Sequence, residues 1–198
     1  MKESPEIRDT AHFLARHGLR LATAESCTAG LIASRIAEVP GCGDVLRCAV
    51  VAYAPDIKTS VLGVPEEVIR RHGLTSEAVS LAMAHGVLRL ADANLAIANT
   101  GVADGNAPDD TPAGTQCFAW VLRMPGRTAP LAVFTETRRF DGDRNTVRFA
   151  AADYALLRIP HYYELARAGG PHLWGGRWAG LASAWVVHSR LAPRRACS

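Results

Sequence analysis

Lysine is almost missing from this chain. Beside twenty arginines there are two lysines, Lys2 at the amino terminus and Lys58. A chain so biased uses arginine wherever a fixed positive charge suffices. A desolvated lysine can lose its proton and act as a base or nucleophile, which arginine cannot. On composition alone, Lys58 reads equally as a surface residue retained by chance. Other absences exclude whole classes. The opening MKESPEIRDT lacks the apolar core of a secretory signal. No run reaches the roughly 18 apolar residues that a membrane span needs. The five cysteines are odd in number, with no CxxC pair and no His–Cys spacing, against a disulfide framework or a zinc site. The expectation is a cytoplasmic protein with reduced thiols, no metal, no cofactor and no membrane partner. Acids are missing after Glu164, where Arg167, Arg177, Arg190, Arg194 and Arg195 follow. Removing those five from the 22 basic residues leaves 17 against 19 acids in the body, which therefore has no electrostatic reason to bind nucleic acid.

What is present suits one domain: 198 residues, 48% apolar. Helical spacing runs from Pro5 to His17, with Gly18 as a stop. Leu19 to Ala24 reads as a strand and Thr28 to Val39 as a helix closed by Pro40-Gly41. Arg47 to Tyr53 is a β-branched, apolar run expected to be a buried strand that Pro55 ends. Helices are expected over Pro65 to Arg71 and Ser76 to Leu90, the second opened by Thr75-Ser76-Glu77. Leu95 to Thr100 is a strand leading into a Gly/Asp/Asn/Pro loop, Gly101 to Pro112. Thr115 to Leu122 and Pro130 to Thr137 form a hairpin through Pro125-Gly126, and Asp143 to Arg158 a closing helix. The pattern predicts an α/β fold, a three-layer α/β/α sandwich with a mixed sheet. Residues 1–164 form the domain, and 165–198 a basic extension carrying Trp174, Trp178 and Trp185. Those tryptophans are expected to pack on the body or on a partner subunit.

The segment Thr23-Ala24-Glu25-Ser26-Cys27-Thr28-Ala29-Gly30 sets a serine where an apolar strand turns into a helix. Open α/β sheets keep their ligand crevice outside the strands' carboxyl ends, and a helix amino terminus offers free N–H groups to an anion. Ser26 or Thr28 acting merely as an N-cap fits the same spacing. There is no GxSxG elbow, and no histidine arrangement announces a triad; His72 and His85 read as surface or packing residues. Lys58 follows a strand end, so a serine with a lysine base is the chemistry this pattern permits.

The stretches LATAESCTAGLIASRIAEVPG and VVAYAPDIKTSVLGVPEEVIRRHGLTSEAV resemble the carboxy-terminal domain of CinA, the competence/damage-inducible protein family also known as nicotinamide-nucleotide amidases. The family pattern is TAESCTGG, VxYSNxxKxxxLGV, a helix opening on GAVSE, TGIAGPGGG, PVGT and GDRxxVRxxA. The resemblance covers about residues 8 to 160. The amino-terminal nucleotide-hydrolase domain of full-length members has no counterpart, so a stand-alone version is expected. What the resemblance implies is deamidation of nicotinamide mononucleotide to nicotinate mononucleotide and ammonia. Ser26 matches the nucleophile, Lys58 the general base and Tyr53 an assisting residue, with backbone N–H groups after Ser26 forming the oxyanion hole. Substrate contacts are implied for Cys27, Thr28, Gly30, Thr100, Gly101, Gly114, Thr115 and Arg144. The implied partners are a small-molecule nucleotide and a second copy of the chain, as a homo-oligomer, most simply a dimer. The family puts its chemistry on the serine rather than on Cys27.

Departures gather around the substrate loop. Tyr-Ser-Asn-x-x-Lys becomes Tyr53-Ala54-Pro55-Asp56-Ile57-Lys58. Thr-Gly-x-Ala-Gly-Pro-Gly-Gly becomes Thr100-Gly101-Val102-Ala103-Asp104-Gly105-Asn106-Ala107, where Asp104 adds bulk and negative charge adverse to an anion. PVGT becomes Pro112-Ala113-Gly114-Thr115, while Gly142 to Arg148 keeps the closing motif. The alternative is a catalytically degenerate relative that serves as a nucleotide-binding or interaction module.

Overall fold

The computed structural model describes residues 4–105, 110–124 and 131–168. The expected turn at Pro125-Gly126 and the tail tryptophans lie outside them. In chain order the elements are α1 (Pro5–Arg16), β1 (Leu21–Glu25), α2 (Leu31–Ala37), β2 (Leu46–Val51), α3 (Pro55–Ser60), α4 (Glu66–His72), α5 (Glu77–Leu90), β3 (Leu95–Gly101), β4 (Thr115–Leu122), β5 (Ala132–Arg139), α6 (Arg144–Leu157) and α7 (Ile159–Arg167). The sheet order is β2-β1-β3-β4-β5. β1 runs parallel to β2 and β3, and β4 is antiparallel to both β3 and β5. The mixed α/β sandwich expected from the pattern is the fold observed.

The two faces of the sheet differ in side-chain size. Towards α1, α2, α6 and α7 point Leu21, Leu95, Ile97, Phe118, Trp120 and Phe134. Trp120 is fully buried and its indole N–H donates to Ala155 O at 2.8 Å, so its polar edge is satisfied where a large apolar ring is hidden. Towards α4 and α5 point Ala22, Ala24, Ala96, Ala98 and Ala119. Small residues there let α5 lie close over the sheet, and α5 brings Ala78 and Ala82 to the contact. A Cβ on Gly86 would sit 2.2 Å from Leu62 O, in the turn after α3. Burying each of the larger apolar side chains contributes about 1.5–3 kcal/mol.

Three expectations change. The 46–51 strand is an edge strand with alternating half-exposed and exposed residues, not a buried one, because nothing pairs beyond it in the sheet. Pro55 opens a helix rather than only ending a strand: its fixed φ suits the first helical position, and α3 carries Lys58. Residues 26–30 form a turn before α2, with Ala29 at φ 49 and Gly30 at φ 90, so the helix starts at Leu31. α7, opened by Ile159-Pro160, runs to Arg167.

Candidate active site

β1 sits between β2 and β3, and the chain leaves it in one direction for β2 and later returns on its other side to β3. Such a switch point opens a crevice at the strands' carboxyl ends. Main-chain bonds fix the end of β1 on both sides: the Ser26 N–H donates to Asn99 O (3.0 Å), and the Ala52 N–H to Glu25 O (2.8 Å). The Glu25 carboxylate is fully buried, with no cationic partner among the described residues. It accepts from Thr23 Oγ1 (3.0 Å), Thr28 Oγ1 (2.8 Å), Ile32 N (3.0 Å) and Ala33 N (3.0 Å). A carboxylate at the amino end of α2 meets otherwise unpaired N–H groups and the positive end of the helix dipole. It ties the strand, the turn and the helix together behind Ser26.

Two further elements grip the same turn. From β3, Asn99 Oδ1 accepts from the Thr28 N–H (3.1 Å), and Asn99 Nδ2 donates to Gln116 Oε1 (3.0 Å). Gln116 Nε2 then donates to Cys27 Sγ (3.3 Å) and Val102 O (3.2 Å). From α6, Arg148 donates to Cys27 O (3.0 Å) and Thr28 O (3.3 Å). Glu25, Asn99, Gln116 and Arg148 were not singled out from sequence. The readable signal was Glu25 itself, a carboxylate ending an apolar strand immediately before a helix.

Lys58 reaches the turn from α3. Its Nζ lies 2.9 Å from Ser26 Oγ, 2.6 Å from Ala52 O and 3.2 Å from Tyr53 O. The residue is 2% exposed. Burial without a counter-ion disfavours the ammonium, and the pKa falls from 10.5 to about 8. The ammonium donates to all three oxygens, whereas the neutral amine can donate to the two carbonyls and turn its lone pair to the serine proton.

Above this floor lies a cleft of about 580 Å³. Ser26, Cys27 and Lys58 form its base; Pro55, Ile69, Leu74 and Val102 supply apolar wall. At the mouth, Arg144 donates to Asp104 Oδ2 (2.9 Å) and to the Tyr53 hydroxyl (2.7 Å). The bond from Asp104 holds the Arg144 guanidinium above its usual pKa. Tyr53 is 56% exposed; it meets Lys58 through its main-chain carbonyl, while its ring belongs to the mouth.

The other expected contact residues divide. Thr100 and Gly101 line the cleft. The Thr100 hydroxyl donates to Leu74 O (2.9 Å), and a Cβ on Gly101 would strike the Gln116 amide. Both residues shape the wall. Thr28, Gly30, Gly114 and Thr115 do not line it. Thr28 is spent on Glu25 and Asn99. Gly30, left-handed, precedes α2 beside Val51. Gly114 has φ 81 and its Cβ would lie 2.0 Å from Phe140 O, and Thr115 Oγ1 donates to Pro112 O (2.6 Å). Cys27 is buried, which raises its thiol pKa and weakens it as a nucleophile. His72 and His85 stand on α4 and α5, away from the cleft lining. Among the described residues, no group of three or more His, Cys, Asp or Glu could hold a metal ion, and no helix is long and apolar enough to cross a membrane.

Residues 5–163 match the family model described as the CinA C-terminal domain. A protein provisionally named competence-damage inducible, from Symbiobacterium thermophilum, is 44% identical over 153 residues, 75% of this chain and 36% of that protein. A CinA-like protein from Akkermansia muciniphila is 43% identical over 147 residues, 74% of this chain and 34% of that one. The chain thus spans about a third of the length of these curated relatives. Among solved structures, a CinA superfamily protein from Klebsiella pneumoniae superposes with TM-score 0.74 at 33% identity, covering 84% of this chain and 99% of that one.

Proposed function

This chain belongs to the CinA C-terminal domain family, and we propose that its cleft hydrolyses a primary carboxamide by serine–lysine chemistry, converting nicotinamide mononucleotide to nicotinate mononucleotide and ammonia. The observation that carries this reading is the setting of Lys58 Nζ: buried, without a counter-ion, and 2.9 Å from Ser26 Oγ. Once Lys58 is deprotonated, Ala52 O and Tyr53 O can take both of its N–H bonds, which leaves the lone pair for the serine. Ser26 gives its proton to Lys58 as Oγ attacks the amide carbon. The Ser26 carbonyl is engaged by the Ala29 N–H (3.1 Å), so across a trans peptide the Cys27 N–H points the opposite way. No acceptor among the described residues meets it, whereas the Thr28 N–H is spent on Asn99 Oδ1 and the Ala29 N–H on Ser26 O. We assign the Cys27 N–H to the developing oxyanion.

Collapse of the intermediate breaks the C–N bond. Lys58 returns its proton to the departing nitrogen, ammonia leaves, and an ester remains on Ser26. Water, deprotonated by Lys58, cleaves that ester to the carboxylate and restores the serine proton. Glu25, Asn99 and Arg148 act by holding the 26–28 turn in place.

Incubation of the pure protein with nicotinamide mononucleotide tests this reading. The expected result is ammonia and nicotinate mononucleotide in equal amounts, lost in Ser26→Ala. Release no faster than in Ser26→Ala would sink it and leave the alternative of a binding or interaction module on the same fold.

A further inference from the structure

We propose that Asp104 sets the substrate class of this cleft, so that a pyridine nucleoside amide is accepted about as well as its 5′-phosphate. The inference rests on the proposed amide hydrolysis at the same site. Among the described residues lining the cleft, the basic groups are Lys58 and Arg144. Lys58 has its hydrogen-bonding capacity filled by Ser26, Ala52 and Tyr53 at the floor of the cleft, so it has no donor left for a phosphate. Arg144 is then the one fixed positive charge on the described lining.

Two of that guanidinium's five N–H donors are engaged. One arm donates to Asp104 Oδ2 at 2.9 Å and the other to the Tyr53 hydroxyl at 2.7 Å. A phosphate monoester carries about −1.5 to −2 charges at neutral pH and needs such a planar fork to bind it. At the remaining donors of Arg144 it would sit beside the like charge of Asp104, which already neutralises the guanidinium. The pair cancels the positive potential that would otherwise draw an anion into the mouth. The remaining wall, with Pro55, Ile69, Leu74 and Val102 beside the exposed Tyr53 ring, suits a flat apolar ring. A pyridinium is flat and aromatic, and its positive charge is favoured by an aromatic face and by a carboxylate.

Calorimetry decides the matter, using nicotinamide mononucleotide and its dephosphorylated nucleoside as probes on wild type and Asp104→Asn. Wild type is expected to bind the two within about threefold, whereas Asp104→Asn should favour the phosphorylated probe by about tenfold, a gain that fades in high salt. Arg144→Gln should change the affinity of wild type for the phosphorylated probe by less than about threefold, but remove the gain in the Asp104→Asn background. A wild-type preference for the phosphorylated probe above tenfold overturns the proposal. So does an Asp104→Asn ratio equal to that of wild type, or binding of neither probe by either protein. Ammonia release is scored separately. Hydrolysis with an unchanged ratio rejects the role of Asp104 alone, while the expected ratios without ammonia reject the hydrolysis alone.

Discussion

The floor and the mouth of the cleft are built on opposite principles. On the floor, the Ser26 turn is fixed through main-chain N–H and C=O groups: Asn99 O, the Ile32 and Ala33 amides, and the Cys27 and Thr28 carbonyls. Lys58 is likewise seated on two main-chain carbonyls. At the mouth, Tyr53, Arg144 and Asp104 hold one another by exposed side chains alone. Backbone partners cannot swing away, whereas an exposed ion pair is worth only about 0–1 kcal/mol and yields to salt or ligand. The floor is therefore suited to chemistry that tolerates little displacement, and the mouth to selection among ligands. The same division says where substitutions should hurt.

The largest effect is expected on the floor. Lys58→Arg keeps the charge but has no lone pair to take a proton, and should lower kcat by more than about 10³-fold with the fold intact. Circular dichroism checks the fold and ammonia release the rate. A variant within threefold of wild type would reduce the lysine to a fixed charge and erase the distinction between floor and mouth.

A pH titration gives the next effect. Activity should rise as Lys58 loses its proton around pH 8. For stability, the folded pKa lies below the unfolded value of 10.5, so the unfolded chain binds more protons between about pH 8 and 10.5. The penalty for burying the ammonium is present below about pH 8 and is relieved as the pH rises to 10.5. Relative to Lys58→Met, wild type should gain on the order of 3 kcal/mol across that window. Urea unfolding at several pH values measures it, and a flat difference would mean that the amine is better solvated than its surroundings imply.

The smallest effect is expected at the mouth. Tyr53→Phe removes one acceptor from Arg144 but leaves the Tyr53 carbonyl that serves Lys58. Its kcat should fall by less than about tenfold, with any larger change in KM. A loss as deep as that of Lys58→Arg would move Tyr53 into the proton-transfer machinery.

Much of this division was legible in the sequence, and the rest was hidden for physical reasons. Ser26 was visible because an apolar strand runs into small residues and a helix, and Lys58 because lysine is so rare. The six residues of α3 are too few to show helical periodicity, and Pro55 reads as a stop as readily as a start. Leu46–Val51 carries the same residue types whether central or at an edge, so only the pairing order reveals its exposure. Tyr53 was expected to assist the pair, yet the group of it that meets the amine is a carbonyl every residue type possesses. Thr28, Gly30, Gly114 and Thr115 matched motif positions, but their partners are the fold itself.

The contact at Gly86 carries the argument away from the cleft. Leu62 O, which a side chain at residue 86 would strike, is held by Arg89 at 3.0 Å and follows α3 by two residues. The Val64 N–H closes on Lys58 O at 3.0 Å. A methyl group on the far helix would thus lever the helix that aims the amine. Inherited variation at this position would look harmless on any map of cleft residues. It would act as a slipped bearing, leaving each working part whole and out of line.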